Sequence, residues 1–564
     1  MSPASGARSR HGAFILLRRL RHPLVLLIVV YAVAVAGFTL VPGVDPGGRP
    51  WRMSFLHAFY FVSFLGTTIG LGEIPYPFSD AQRMWATVSI YATVIAWLYA
   101  IGALFAVLQD PLFRRLLHES TVDRMVRRLR EPFFLLCGYD DAGHRVAREL
   151  TEDGIRVVVI DIEPARVDAA DVDDHRVPVP ALLGDASDPK SMTLAGLTHP
   201  HCVGVLALTG SDAINTKIAL TARLLNPDLP VLCAAHDHAW HPRMATAGAD
   251  HLINPYDTFA ERVAISLRTP SLHVIYEALT TQAGTAAAEP LRLPRGRWVL
   301  CGWGPFARTL RRQLERLEIE TTAVGTELDD SCDASNSVRG DPSDATVLRE
   351  ADIEHADAIV ACTEVDIDNL AIVLTAKGIR KELFVVARQN QRRNSMVFRA
   401  APTDLVMLSG YVIAGEVLRN VRAPLLSAFL RRARDHDEAW AAALLARLRE
   451  SVGAEVLESW SMSLVPAAMP AACAALARGE PLSLRRLMTR PDGSARMVRA
   501  VPLMLQRGNE RQMLPSIDAP LVEGDQLLFC GRALARSRMR GFALTRALAP
   551  VAVVDAAIAL EDAP

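Results

Sequence analysis

Hydrophobic and polar positions along this 564-residue chain follow three patterns in turn. From Pro23 to Val41 the residues form a nearly unbroken apolar run without a formal charge, long enough for one membrane crossing. Met84 to Leu108 is a second such run, carrying aromatics at Trp85, Tyr91, Trp97 and Tyr99. Between them, Ser54 to Gly66 is apolar and aromatic but too short to cross, which predicts a re-entrant helix. Beyond Pro132 the pattern changes to short apolar runs, glycine turns and amphipathic stretches, the signature of strands alternating with helices.

The re-entrant segment runs into Thr67-Thr68-Ile69-Gly70-Leu71-Gly72-Glu73. Irregular backbone at membrane depth must line water or an ion, because lipid leaves polar groups unsatisfied. Glycine permits positive φ, and alternating it with L-residues turns successive carbonyls toward one axis, where they replace an ion's hydration shell. The stretch resembles the potassium-channel signature Thr-Val-Gly-Tyr-Gly-Asp, with Ile69, Leu71 and Glu73 in place of valine, tyrosine and aspartate. The resemblance implies a selectivity filter, potassium at the carbonyls of Thr68, Ile69, Gly70 and Leu71, and a cyclic tetramer around the axis. Glu73 to Arg83 resembles the tail that follows many potassium pores, with Gln82 replacing a glycine. Gly102, in the inner part of the second run, is a candidate gating hinge or a packing position.

Net charge is −1, so nothing draws the chain as a whole to nucleic acid. The charges are unevenly placed, however. Arginines at 8, 10, 18, 19 and 21 precede the first run, and Arg114, Arg115, Arg124, Arg127, Arg128 and Arg130 follow the second. The positive-inside tendency then puts both termini in the cytoplasm of an inner (plasma) membrane protein with two spans. The later arginines are also placed to meet anionic lipid. Eight cysteines without a CxxC pair indicate buried thiols in a reducing compartment.

The cytosolic pattern occurs twice. Phe133 to Gly143 and Trp298 to Ala307 each give a strand, a glycine turn and a helix start. Gly184-Asp185 with Asp188 is echoed by Gly340-Asp341 with Asp344, and Thr209, Asp212 and Asn215 by Thr363, Asp366 and Asn369. Two Rossmann-like parallel α/β domains are predicted. Gly138 serves the tight turn, Gly143 the close packing of helix on sheet, and Asp161 is the acid that would grip ribose hydroxyls. Tyr139, Asp185 and Asp341 join them as candidate ligand contacts. Asp140 departs from the pattern, placing a carboxylate where pyrophosphate would approach. The second copy has Gly302, Gly304 and Ala307, with its acidic position at Gly325 and Glu327 nearby.

This combination resembles the two-span potassium channels with RCK (Trk-N type) domains, from about Pro23 to about Leu544. The resemblance implies a pore domain with re-entrant helix, two RCK domains and a small α+β subdomain, marked by Gly479-Glu480 and Gly524-Asp525. The expected boundaries are 1–22 basic N-terminus, 23–109 pore, 110–131 linker, 132–290 and 291–450 the RCK copies, 451–545 the subdomain and 546–564 a tail. Further implications are a homotetramer gated by NAD(H), another adenine nucleotide or calcium, with Asp185, Asp188 and Asp212 as a candidate cation site. A weakly selective cation pore is the nearest alternative, because Leu71 lacks the tyrosine hydroxyl. An oxidoreductase would need a substrate domain, and none is visible; His199, His201, His236 and His238 read as loop histidines. A soluble regulatory subunit would lack the two spans. Arg431-Arg432 and Arg485-Arg486 read as solvated helix faces, and Thr258 to Leu279 as one helix.

Overall fold

The computed structural model describes residues 4–70, 72–280, 293–329, 332, 334–452, 458–489 and 497–544. Leu71, the linker around Thr281 to Glu289 and the tail 546–564 lie outside the described residues.

In the N-terminal part, one helix runs from Ala4 to Leu40 through Pro23, so the basic segment and first span are continuous. Its apolar portion is Leu20–Leu40; the second long apolar helix is Asp80–Leu108, and their mean hydropathies are 2.5 and 2.0. The second helix begins earlier than the apolar run predicts. Ser79 and Gln82 form a reciprocal capping box, satisfying the first backbone donors before the apolar stretch starts. Leu24, Ile28, Tyr91, Ile95 and Leu98 are exposed on the two helices, as lipid-facing or subunit-facing positions should be. Between the spans lies the short helix Phe55–Gly66, capped by Ser54. Its Phe61 packs edge-on against Phe38 of the first helix (4.8 Å) and Phe78, just before the second long helix (4.9 Å).

Small residues let the helices approach. Trp85 Nε1 donates to the Ala34 carbonyl at 3.1 Å, and a Cβ on Gly37 would lie 2.0 Å from the Trp85 ring. Gly37→Ala is therefore expected to displace Trp85 and destabilise the pore domain by roughly 1–3 kcal/mol, read as a lower melting temperature in detergent.

The chain after the two apolar helices holds two six-stranded parallel sheets. Counted within each copy, the strand order is 3-2-1-4-5-6. The first copy's strands are Phe133–Cys137, Arg156–Asp161, Ala181–Leu183, Cys202–Ala207, Val231–Ala234 and His251–Ile253. The second's are Trp298–Cys301, Thr321–Gly325, Ser337–Arg339, Ala358–Ala361, Phe384–Gln389 and Leu405–Leu408. Val157 to Ile160 are wholly buried, as expected of central strands covered on both faces.

The copies exchange helices. Pro255–Arg268, after the first sheet, packs on Pro305–Glu315 of the second copy, and Ser409–Arg422, after the second sheet, packs on Asp141–Glu152 of the first. Tyr256, Phe259 and Val263 thereby share a core with Trp298, Phe306 and Leu310. The single helix expected over Thr258 to Leu279 is in fact two, Pro255–Arg268 and Pro270–Thr280. Pro270 forces Thr269 out of the helical region, to φ −133° and ψ 72°.

A four-stranded antiparallel sheet closes the fold, in the spatial order Glu458–Ser463, Gln526–Gly531, Ala500–Arg507, Glu510–Met513. Helix Glu438–Val452 packs through Leu444 and Leu448 with Ile275, Val501 and Leu528. Arg485 and Arg486 are buried rather than solvated: Arg485 donates to Asp518 (2.7 Å) and Arg486 to Glu480 (2.5 Å). Asp525, fully buried, accepts two bonds from Arg507, both 2.9 Å.

Candidate pore and nucleotide site

The pore helix ends at Gly66, where the chain turns. Thr67 is its C-cap, and its Oγ1 donates back to the Ser63 carbonyl at 3.0 Å. Thr68 N donates to the Leu65 carbonyl (3.2 Å) and Ile69 N to that of Phe64 (3.1 Å), anchoring the turn on the last helical residues. Thr68, Gly70 and Gly72 then adopt left-handed φ of 62°, 67° and 90°. Thr67, Thr68, Ile69, Gly70, Gly72 and Glu73 are all exposed in the protomer. Glu73 is held: its carboxylate accepts from the backbone N of Phe78 (2.8 Å) and from Arg83 Nε (2.9 Å). The acid thus ties the segment after the turn to the start of the second long apolar helix. Arg83, the last residue of the tail motif, is the side chain that fixes the acid.

The two glycine turns differ where a phosphate would approach. In the first copy Gly138 has φ 99°, and a Cβ there would sit 3.0 Å from Thr209 N. Gly143 has no room for a side chain, since its Cβ would lie 2.0 Å from the Gly138 carbonyl oxygen. Both glycines are thus required by the turn itself. Asp140 caps the following helix, accepting from Ala142 N (3.0 Å) and Gly143 N (3.2 Å), so a carboxylate already occupies the anion position. Burial raises its pKa, against the pull of those two amides. The second copy's exchanged helix covers the same spot: a Cβ on Gly410 would be 3.2 Å from Ala142 N, and Arg392 N donates to Asp141 at 2.9 Å. Asp161 is buried and engaged with the backbone N of Tyr139 (2.6 Å) and of Glu163 (2.8 Å). Tyr139 turns its hydroxyl to Asp173 at 2.8 Å.

In the second copy Gly302 has φ 107°, and Gly304 is the N-cap of helix Pro305–Glu315, which no side chain caps. The backbone N–H groups of Phe306 and Ala307, both buried residues, are therefore left without a side-chain cap at the positive end of a helix, where an anion is favoured. Around this turn Trp303 Nε1 and Arg308 both donate to Asp329 at 2.8 Å, and buried Arg388 reaches Glu364 at 3.0 Å. The strand that should carry the ribose acid ends on Gly325, and Glu327 is exposed two residues on.

Comparison with known proteins follows this division. The ion-channel family model matches residues 25–110, and the TrkA-N domain model matches 134–255 and 298–409. Together these take in more than half of the chain. The chain therefore carries an ion-channel domain followed by two TrkA-N domains. Among relatives, potassium channel protein 1 of Methanocaldococcus jannaschii is 24% identical over 229 residues, covering 40% of this chain and 67% of that one. The voltage-gated potassium channel Kch of Escherichia coli is 24% identical over 218 residues, covering 37% and 48%. The chain spans between about a sixth and two thirds of the length of the curated relatives it matches. A solved GsuK channel bound to NAD covers 94% of this chain and 99% of its own, at 15% identity and a TM-score of 0.44.

Within the RCK copies, the repeated polar landmarks act as internal clamps. Asn215 accepts from Thr209 N (3.1 Å) and donates to the Thr209 and Ala234 carbonyls (both 2.9 Å); Asn369 does the same for Thr363 N and the Thr363 and Arg388 carbonyls. Each ties the end of strand 4 to the end of strand 5. Asp212 accepts from the backbone N of His236 and Asp237, as Asp366 does from Asn390 and Gln391. Burial raises the Asp212 carboxyl, but the bonds from the His236 ring and these amides outweigh it and leave the pKa lowered. Asn215 is fully buried, so Asn215→Ala strands several polar groups. It should cost roughly 2–4 kcal/mol, read as a lower denaturation midpoint at unchanged slope.

Asp185 and Asp341 accept from the backbone N of Ser187 (2.7 Å) and Ser343 (2.8 Å), and Asp188 and Asp344 cap the helices that follow. Asp185, Asp188 and Asp212 do not converge as a cation site among the described residues. The eight cysteines are all free, and seven of them are buried. Of the four histidines singled out by sequence, only His238 enters a metal-type cluster among the described residues, and its partners are His241 and Asp257.

Proposed function

We propose that the chain forms a homotetrameric potassium channel of the inner (plasma) membrane, with both termini cytoplasmic, gated by a nucleotide on its RCK domains. Thr67 to Glu73 form the filter; the carbonyls of Thr68, Ile69, Gly70 and Leu71 coordinate potassium, and Thr68 adds its hydroxyl at the inner end. The observation that carries this reading is the left-handed backbone at Thr68, Gly70 and Gly72 directly after a capped, non-crossing helix between two spans. Glu73 acts as a brace through Arg83 rather than as a free charge at the mouth. That the curated relatives above are potassium channels supports a conducting role over an oxidoreductase.

The second copy holds the nucleotide. Gly302 and Gly304 admit the phosphates, the Phe306 and Ala307 amides bind them, and Glu327 is the acid nearest the ribose. In the first copy Gly138, Tyr139, Asp140, Gly143 and Asp161 complete a closed turn, and Asp185 and Asp341 serve loop geometry. The ligand, NAD(H) or another adenine nucleotide, shifts the gate by binding the open and closed rings with different affinity. Titrating NAD+, NADH and ADP into the purified channel by calorimetry tests this: one high-affinity site per chain is expected. Two equivalent sites per chain, or none, would contradict it.

A further inference from the structure

Three side chains of metal-binding type, His238, His241 and Asp257, meet after the fifth strand of the first RCK copy. His238 ends a short loop after strand Val231–Ala234, and His241 opens the next helical turn, so the His-x-x-His spacing brings the two imidazoles to 4.6 Å between ring centres. Asp257 sits in the first turn of helix Pro255–Arg268, two residues after its start at Pro255. His238 Nε2 and Asp257 Oδ1 are 2.8 Å apart, and one ligand atom from each of the three residues lies within 4.8 Å of the others. Imidazole nitrogens and a carboxylate oxygen bind a first-row ion at about 2.0–2.2 Å. A small closing movement therefore seats one ion among them.

Two independent observations point to a missing ligand. His241 Nε2 is buried and has no hydrogen-bond partner. Asn254, only 5% exposed, leaves its Nδ2 unpartnered as well. His241, Asn254 and Asp257 line one cavity of about 260 Å³. Buried polar atoms without partners are uncommon, and a bound ion with its water would supply one to each of these two, while Tyr276 Oη, Ser427 Oγ and Arg434 Nε of the same cavity also lack one.

We propose that His238, His241 and Asp257 bind one divalent transition-metal ion of the zinc class per chain, leaving a coordination position open to water next to Asn254. Two imidazoles select nitrogen-preferring ions, whereas calcium takes six to eight oxygens. The ion ties the loop after the first sheet's fifth strand to the helix that Tyr256 and Phe259 dock on Phe306 of the second copy. It therefore braces the joint between the two RCK domains.

The test uses the full-length channel in detergent, stripped with a chelator and titrated calorimetrically with zinc, calcium and magnesium. The expected result is one zinc per chain and no measurable calcium or magnesium binding at this site. His241→Ala should weaken zinc binding by about 100-fold or more, and the near-isosteric Asp257→Asn by about tenfold or more. The paired histidines 199 and 201, replaced together by alanine, serve as the control and should leave zinc affinity unchanged. Melting of the metal-free variants at the wild-type temperature separates loss of ligand from loss of fold, and Asp257→Asn preserves shape if His241→Ala does not fold. Equal zinc affinity in wild type and folded His241→Ala or Asp257→Asn, or loss of binding in the 199/201 control, would overturn the assignment.

Discussion

Gly70→Ala is expected to abolish potassium current in reconstituted channels while the protein still folds and assembles. Gly70 sits at φ 67°, and a Cβ built there meets no atom within 4 Å in its own chain. The cost within one chain is therefore backbone strain, roughly 1–2 kcal/mol for an L-residue held left-handed. In a fourfold pore that strain recurs in every chain around one axis, and relaxing it rotates the adjoining carbonyls away from the ion. Gly479 provides the control. It has a similar φ, 75°, and is equally unobstructed, but lies in the C-terminal subdomain. Gly479→Ala should cost similar stability and leave conductance unchanged. Single-channel recording of both variants separates a filter from an ordinary tight turn: a Gly70→Ala channel with wild-type conductance would mean the turn does not line the ion path.

Gly304→Asp is expected to eliminate the nucleotide response without harming the fold. The substitution copies into the second RCK domain what Asp140 does in the first, where its carboxylate accepts from the first two helix amides available. An Asp N-cap commonly stabilises a helix by about 0.5–2 kcal/mol, which offsets the repulsion from Glu364, whose Oε1 would lie 3.5 Å from the new Cβ, so the fold should be retained. It also removes the Phe306 and Ala307 amides from any phosphate. Each hydrogen bond to a charged group contributes about 1.5–3 kcal/mol, so losing two lowers affinity by about 100-fold or more. The reciprocal change, Asp140→Gly, frees amides that Gly410 and Arg392 still cover, so it should create no second site. Calorimetry with NAD(H) and ADP decides: unchanged affinity in Gly304→Asp would move the nucleotide elsewhere.

Much of this was legible in the sequence because glycine and proline carry local geometry with them. Gly70 and Gly72 stand where φ is positive, and Gly143 stands where a methyl would strike the Gly138 carbonyl oxygen. The two apolar helices and the repeated strand-turn-helix pattern are likewise periodicities that survive into three dimensions. Three features were not legible, each because it depends on what lies far away in sequence. The exchange of helices between RCK copies brings Gly410 to Ala142, a contact no local pattern encodes. Arg485 and Arg486 look solvated by composition, but Asp518 and Glu480 allow them to be buried. The histidines cluster along the chain as 199, 201, 236 and 238, whereas the fold selects 238 and adds His241 and Asp257. The His-x-x-His spacing was the available signal, and only the start of the next helix completes it. The Thr269–Pro270 break, by contrast, was written in the residues and follows from proline sterics.

The central claim, a potassium-selective pore opened or closed by a nucleotide, meets its most direct test in the reversal potential. The purified protein is placed in planar bilayers under a potassium/sodium gradient, with nucleotide added to the cytosolic side. The predicted result is reversal near the potassium equilibrium potential, with open probability moved by NAD(H) or another adenine nucleotide. Reversal near zero in active channels would contradict it, and would mean that leucine at position 71 has left the filter open to sodium.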